Sequence, residues 1–349
     1  MAIKIEIYSQ NDFLRLRTDW ERLQTGKEMT YFQTWDWNSM LLRGVPKDSA
    51  HFETIFLVVK RAEIAEMIVP LWIIKKRYHW VHPPMVYLFG YGGWSDYLNC
   101  IYNDFCEEIM DAVIDFIKKQ YPSIPLYFTS LKEGSSLYRY IQKHYILLTT
   151  IQRDCVSVIL PDTIEQWYQT LSKSTRQNLR TAKNRMARDG IAYTINFDDN
   201  MVNKQACIAN RAKRSKMKSI RDEKVNWIKQ LKRNIKTIYC AIPSQGGYFP
   251  ILDDPNAKVM TISTTDGNLM AYFHYGYDEV HHEIVVISAG VMEGYERYSP
   301  GMILMQAYIE EVINQKKIRV IDFTRGDEPY KLALGGIRKI NNTVKFSIE

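Results

Sequence analysis

The chain has 349 residues, of which 46% are hydrophobic and 24% charged, and it carries a formal charge of +7. That balance reads as an ordinary soluble globular protein, long enough for two domains with substantial cores. The N-terminus has no signal-peptide core, and the longest apolar runs, such as Ile68–Ile74, are far too short to cross a bilayer.

In chain order, Ile3–Ile7 predicts a strand, and a helix follows with Leu16, Trp20 and Leu23 inward. After the segment Trp35–Leu42 come strands at Phe52–Lys60 and Glu66–Lys75, joined by the charged turn Arg61-Ala-Glu63. Met85–Phe89 is a further strand, entering the glycine-rich stretch Tyr91–Tyr97. A helix over Asp104–Lys119, with Ile109, Val113 and Phe116 inward, precedes a strand at Leu126–Ser130. From residue 151 the order repeats. Val156–Leu160 is a strand, and the helix Thr175–Arg188 ends at Gly190, a glycine suited to a C-terminal cap. Helices are predicted over Val202–Met217 and Lys224–Asn234, then strands at Thr237–Ile242, Val259–Thr264 and Leu269–Tyr277. Asp266-Gly267 marks a hairpin between the last two. The expected domains are therefore 1–150 and 151–349.

The charge is segregated. Between Lys173 and Lys236 there are 18 Lys and Arg against 5 Asp and Glu, a net +13, so the remainder is mildly acidic. A cationic segment raises the local concentration of anionic ligands. It admits a nucleic acid, an anionic membrane face touched peripherally, or no more than a solvated helical surface. Five scattered cysteines, Cys100, Cys106, Cys155, Cys207 and Cys240, show no paired metal-ligand spacing and read as reduced thiols of a cytosolic protein.

The stretch from Glu283 to Lys331 organises the rest. An apolar strand, Glu283–Gly290, leads through the polar elbow Glu293–Gly301 into a helix from Met302 to about Asn314. A second strand, Ile318–Thr324, follows. Ser299 suits the N-cap, Pro300 the first helical position, and Gly301 leaves the backbone open to close approach. Helix N-termini carry unpaired N–H groups and partial positive charge, so this turn is built to accept an anion such as a phosphate. Strand, turn, helix and parallel strand form a βαβ unit.

Two pieces of this stretch, Tyr298–Leu304 (YSPGMIL) and Asp322–Lys331 (DFTRGDEPYK), resemble the signature of the CelD/BcsL-type acetyltransferases. These belong to the GNAT superfamily and are related to the FemAB-like transferases. Phe32–Trp37, Ser95–Leu98 and Leu171–Arg180 extend the resemblance along nearly the whole chain. It implies an α/β fold with mixed sheets in tandem GNAT-like domains, the first on the acceptor side and the second holding the donor. It also implies acetyl-CoA or another acyl-CoA as donor substrate, without a metal. The superfamily's Gln/Arg-x-x-Gly-x-Gly/Ala pattern is Arg297-Tyr-Ser-Pro-Gly-Met302 here, with one glycine, shifted by one position.

Acyl transfer from a thioester needs backbone amides for the donor's diphosphate, a hydrogen-bond donor for the carbonyl oxygen, and a base for the acceptor. The diphosphate would sit at Arg297, Ser299, Pro300, Gly301 and Met302. Candidates for the base are Asp96, in the turn after a first-half strand, His274, on a strand amid Tyr272, Phe273 and Tyr275, and Glu283. The resemblance places Lys331 beside the donor carbonyl or phosphate. Helical spacing puts Arg176, Arg180 and Lys183 on one face, away from Leu179, Ala182 and Met186. By resemblance that face holds acceptor phosphates, with Tyr97, Arg325, Asp327 and Tyr330 also on the substrate side. Asp322, inside an apolar strand, needs a basic group or a backbone amide as partner.

The expected protein is thus a cytoplasmic bacterial acyltransferase. Its acceptor, by resemblance alone, is an amino or hydroxyl group of a nucleotide- or lipid-linked sugar in envelope or exopolysaccharide biosynthesis. Two alternatives stand beside it: a FemAB-like transferase using aminoacyl-tRNA, the only reading that calls for nucleic acid, and a catalytically silent sugar-nucleotide-binding protein.

Overall fold

A computed structural model describes residues 2–45, 48–76, 83–90, 95–198 and 257–348. The helices and strand expected between 202 and 242 lie outside these residues. The described chain divides into two compact units. One comprises residues up to Arg153 together with the C-terminal Ile340–Ile348; the other runs from Asp154 to Lys339. The C-terminal residues, which the expected boundary places in the second domain, thus group with the first unit.

In the first unit, strands β1 (Ile3–Ser9), β2 (Phe52–Arg61) and β3 (Ile64–Ile74) form an antiparallel ribbon. The β2–β3 turn is two residues long, with Ala62 and Glu63 both at positive φ, the twist that a tight hairpin requires. Beside β3 lie β4 (Met85–Leu88) and the short β5 (Ile101–Tyr102). β4 pairs in parallel with β6 (Leu126–Lys132) through Val86–Leu126 and Tyr87–Tyr127, and β6 pairs antiparallel with the C-terminal strand.

Helix α1 (Arg17–Leu23) buries Trp20 and Leu23 as its periodicity predicts, with Leu16 buried just before it. Trp20 meets Trp35 from α2 (Trp35–Arg43) edge-on, and Trp35 stacks on Phe13 at 4.2 Å. The long helix α3 (Glu107–Gln120) buries Ile109, Met110, Val113, Ile114 and Ile117. The expected Phe116 packs against the core partly buried, and Ile117 is fully buried beside it. A fourth helix, α4 (Ser136–His144), takes its first N–H partner from Glu28, whose carboxylate also accepts the Tyr102 hydroxyl.

The second unit opens with the end of β7 (Leu147–Ile159) and helices α5 (Ile164–Thr170) and α6 (Lys173–Arg188). On α6, Thr175, Leu179, Ala182 and Met186 are buried, the face that the spacing predicts. Gly190 at φ +69° and the Ile191 N–H to Met186 O bond close the helix as expected.

Then come β8 (Tyr193–Asn196), β9 (Ala257–Thr264), β10 (Leu269–Asp278), β11 (Glu283–Val291), helix α7 (Pro300–Gln315), β12 (Val320–Arg325), helix α8 (Pro329–Ala333) and β13 (Ile337–Phe346). Within this unit the strand order is β7-β12-β11-β10-β9-β8. All neighbours are antiparallel except β11 and β12, which α7 connects. Its core is Ile303, Leu304, Ile309, Val312 and Ile313 of α7 against Phe273, Tyr275, Ile284, Val286, Ile321 and Phe323 of the sheet.

Among the described residues each unit has a parallel strand pair linked by a helix, α3 in the first and α7 in the second. Each also breaks pairing at a left-handed residue on the second strand, Ser130 at φ +55° and Thr324 at φ +56°. Among the described residues Cys100, Cys106 and Cys155 are free thiols, and no helix is long and apolar enough to cross a membrane.

Candidate active site

β11 and β12 pair over only three positions, Glu283–Val320, Ile284–Ile321 and Val285–Asp322. Beyond these the strands separate. Thr324 builds the vertex. Its left-handed backbone is costly for a β-branched residue and is held by the Asp322 carboxylate, which accepts the Thr324 N–H at 2.6 Å. The Thr324 hydroxyl lies 3.0 Å from the Val286 carbonyl and 2.7 Å from that of Phe323. Asp322 therefore takes a backbone amide, one of the two kinds of partner expected for it. On the other side of β11, the register to β10 slips between His274–Ser288 and Tyr275–Val286, leaving Ile287 as an extra residue that bends the strand.

The separation leaves a cavity of about 660 Å³. The backbone of Val286–Val291 forms one wall, Phe323–Arg325 the other, and Phe273 lies at its floor. Ser299, Gly301 and Met302 close the end at the N-terminus of α7, and Glu296, Glu328, Tyr330 and Lys331 complete the lining. Tyr330 is held by aromatic packing, edge-on to Phe323 with ring centroids 5.9 Å apart.

At the α7 turn, Ser299 occupies the N-cap position, but at φ +49° and ψ +46°, so its side chain does not cap the helix. Its carbonyl instead accepts the Met302 and Ile303 N–H groups. Pro300 has no N–H, and the Gly301 N–H has no protein partner among the described residues. One amide and the positive end of a 16-residue helix are therefore what the turn offers an anion. Gly301 has helical backbone. A Cβ there would meet Val291 and Phe273 at 3.7–3.9 Å, ordinary contact distances, so the glycine keeps space open rather than meeting a conformational need.

Several expected site residues lie elsewhere. Arg297 is exposed and does not line the cavity; its guanidinium pairs with Asp189 at 2.8 Å and packs on Tyr298. His274 is buried next to Tyr272, on the face opposite Phe273, because strand side chains alternate. Glu283 sits at the end where β11 and β12 still pair, before the cavity begins. Pro300 is buried in the turn.

Arg176 donates to the carbonyls of Tyr168 and Leu171, tying α5 to α6, while Arg180 is exposed and Lys183 half-buried on the same helix. Asp327 is exposed and pairs with Arg338. Arg325 and Tyr330 do line the cavity. Asp96 and Tyr97 belong to the first unit. Both are buried, Tyr97 at φ +53°. Their segment is pinned by Trp37 to Ser95 (2.8 Å), Gln33 to the Tyr97 carbonyl (2.9 Å) and Leu98 N–H to the Ser130 carbonyl. The Leu98 N–H bond sets this segment beside the end of β6.

Lys331 lines the cavity, and protein groups engage its ammonium. It is 4% exposed, and its ammonium donates to the carbonyls of Phe323, Arg325 and Gly326 at 2.7–3.1 Å while pairing with Glu328 at 2.8 Å. An ammonium has three protons, so this side chain is a clamp fastening α8 to the end of β12. Residues that sequence reasoning missed are Phe273, Val286–Val291, Glu296, Phe323, Thr324 and Glu328. The strand Glu283–Gly290 was the available signal, since β11 contributes its whole second half. Among the described residues no group of three His, Cys, Asp or Glu is placed to hold a metal.

Residues 248–332 match the family model described as an acetyltransferase (GNAT) domain. No curated protein matches the chain in sequence. Among solved structures, FemX superposes with a TM-score of 0.55 at 10% identity, over 99% of this chain and 97% of that one. A conserved protein of unknown function from Bacteroides thetaiotaomicron gives 0.53 at 9% identity, over 99% of both chains. At such identities these likenesses speak for the fold alone.

Two outcomes follow from the geometry. Lys331→Met lowers stability by about 2–3 kcal/mol, a Tm fall of roughly 5–10 °C, because three carbonyls lose a charged donor. An unchanged Tm contradicts the clamp. Gly301→Val keeps the Tm within about 3 °C of wild type yet obstructs ligands at the α7 turn; if bound ligand is unaffected, the turn is not the anion site. Residues 248–332, the segment that matches the acetyltransferase (GNAT) domain model, enclose the parting strands, the cavity between them and the α7 turn.

Proposed function

We propose that this protein is an acyltransferase that moves an acetyl or other acyl group from acyl-CoA to an amino or hydroxyl group of a nucleotide- or lipid-linked sugar. The observation that carries the first part is the cavity opened by the parting of β11 and β12 beside the N-terminus of α7, within the GNAT-matched segment. The sugar acceptor rests on the resemblance of the signature stretches, not on the cavity.

The donor's extended amide arm suits the wall formed by Val286–Val291, which line the cavity where β12 has turned away. Its diphosphate suits the α7 turn and the Gly301 N–H. The acyl carbonyl would then lie in the mouth between the strands. The acceptor attacks the thioester carbon directly, one C–N or C–O bond forming as the C–S bond breaks. The acceptor's proton leaves to a base, and the thiolate takes a proton. Glu296 and Tyr330 are titratable groups in the cavity that can handle protons; His274 and Glu283 are not in it. No covalent enzyme intermediate is needed.

A second reading, transfer from aminoacyl-tRNA, is favoured by the thin grip at the turn: one amide among the described residues, Arg297 drawn off to Asp189, and Glu296 in the cavity lining. The basic helix α6, with six Lys and Arg and no acid, would suit its phosphates.

Thermal unfolding decides between them. Acetyl-CoA at about a hundredfold excess over its Kd raises the Tm by roughly 5–10 °C if the first reading holds. No shift with any acyl-CoA, combined with tRNA binding that weakens steeply with salt, supports the second.

A further inference from the structure

Asp189 stands at the wrong end of a helix for its charge. It is the C-cap of α6, where the negative end of the helix dipole repels a carboxylate. A residue that breaks a local rule in this way calls for a compensating role.

Its place is fixed. The Asp189 N–H bonds to the Arg185 carbonyl, and the left-handed Gly190 closes the helix behind it. From there the carboxylate reaches the turn that precedes α7. Oδ2 accepts from the Arg297 guanidinium at 2.8 Å and from the Tyr298 hydroxyl at 3.0 Å, while Oδ1 accepts from Arg188 at 3.1 Å. One turn earlier on the same helix, Arg185 donates to the Arg297 carbonyl. Arg297 lies over the Tyr298 ring at 4.6 Å, and Tyr298 is 4% exposed in the core.

These contacts converge on the residues just before Ser299, the non-glycine residue held at φ +49°. Such a backbone persists only where its surroundings over-determine it. On the far side, the Ser299 carbonyl takes the Met302 and Ile303 N–H groups. The near side is held by α6.

We propose that Asp189 and Arg185 are positioning residues for the acyl donor, holding the Arg297–Ser299 turn so that the Gly301 N–H and the α7 N-terminus face the donor's diphosphate. The inference rests on the reading of that turn as the donor site. It also changes the role of α6, whose C-terminal end serves the donor turn whatever its exposed cations bind.

The sign of one substitution tests it. Coenzyme A is a polyanion, so removing a nearby negative charge would strengthen its binding if Asp189 acted only through its field. A positioning role predicts the opposite. In calorimetric titrations with coenzyme A, Asp189→Asn raises the Kd about tenfold or more, while Asn184→Ala, exposed on the same helix, leaves it unchanged. The reversed pair Asp189→Arg with Arg297→Asp recovers most of the loss, which a general destabilisation would not. Binding by Asp189→Asn that equals or exceeds wild type overturns the inference and leaves the donor site standing. Failure of the wild type itself to bind coenzyme A removes the donor site and the inference with it. Should Asp189→Asn not fold, Arg185→Lys keeps the positive charge while shortening the donor to the Arg297 carbonyl; a raised Kd then reports positioning rather than field, and an unchanged Kd overturns the inference.

Discussion

The parting of β11 from β12 is the constraint on which the second unit depends. Parallel strands that stayed paired would satisfy their own amides and leave nothing to bind with. Here pairing stops after Val285 and Asp322, and the break is maintained by specific bonds rather than by absence of attraction. Asp322 caps the Thr324 N–H, Thr324 spans to Val286, and Lys331 gathers the carbonyls of Phe323, Arg325 and Gly326. Three buried polar side chains are thus spent on keeping two strands apart. The cavity follows from that arrangement, and so does the placement of the α7 N-terminus at its end.

The first unit repeats the parallel pair with a segment of chain bonded beside it. Its parallel pair, β4 and β6, also breaks at a left-handed residue, Ser130. There the Ser95–Leu98 segment lies against β6, pinned by Gln33, Trp37 and the Ser130 carbonyl. Among the described residues the Leu98 N–H meets the Ser130 carbonyl there, whereas in the second unit the parting strands line a cavity.

Much of this was legible in local pattern. The strand from Glu283, the helix after Ser299 and the strand near Ile321 follow from period and punctuation, as do the buried face Leu179, Ala182 and Met186 and the cap at Gly190. What escaped depends on long-range partners. Arg297 looks like an anion ligand until Asp189, 108 residues earlier, claims it. Tyr272–Tyr275 is buried on both faces, so sequence alone cannot say that Phe273 faces the cavity and His274 turns away. Lys331 resembles a catalytic cation, yet three carbonyls and a carboxylate surround it. Ser299 is a good N-cap residue by type, but its left-handed backbone makes its carbonyl, not its hydroxyl, the useful group.

Amide hydrogen exchange of the full chain with and without coenzyme A tests the central claim most directly. The account predicts slowed exchange concentrated in Val286–Val291 and at Gly301–Ile303, the cavity wall and the helix start. Ligand-induced protection confined to other segments, with these two unaltered, would contradict it.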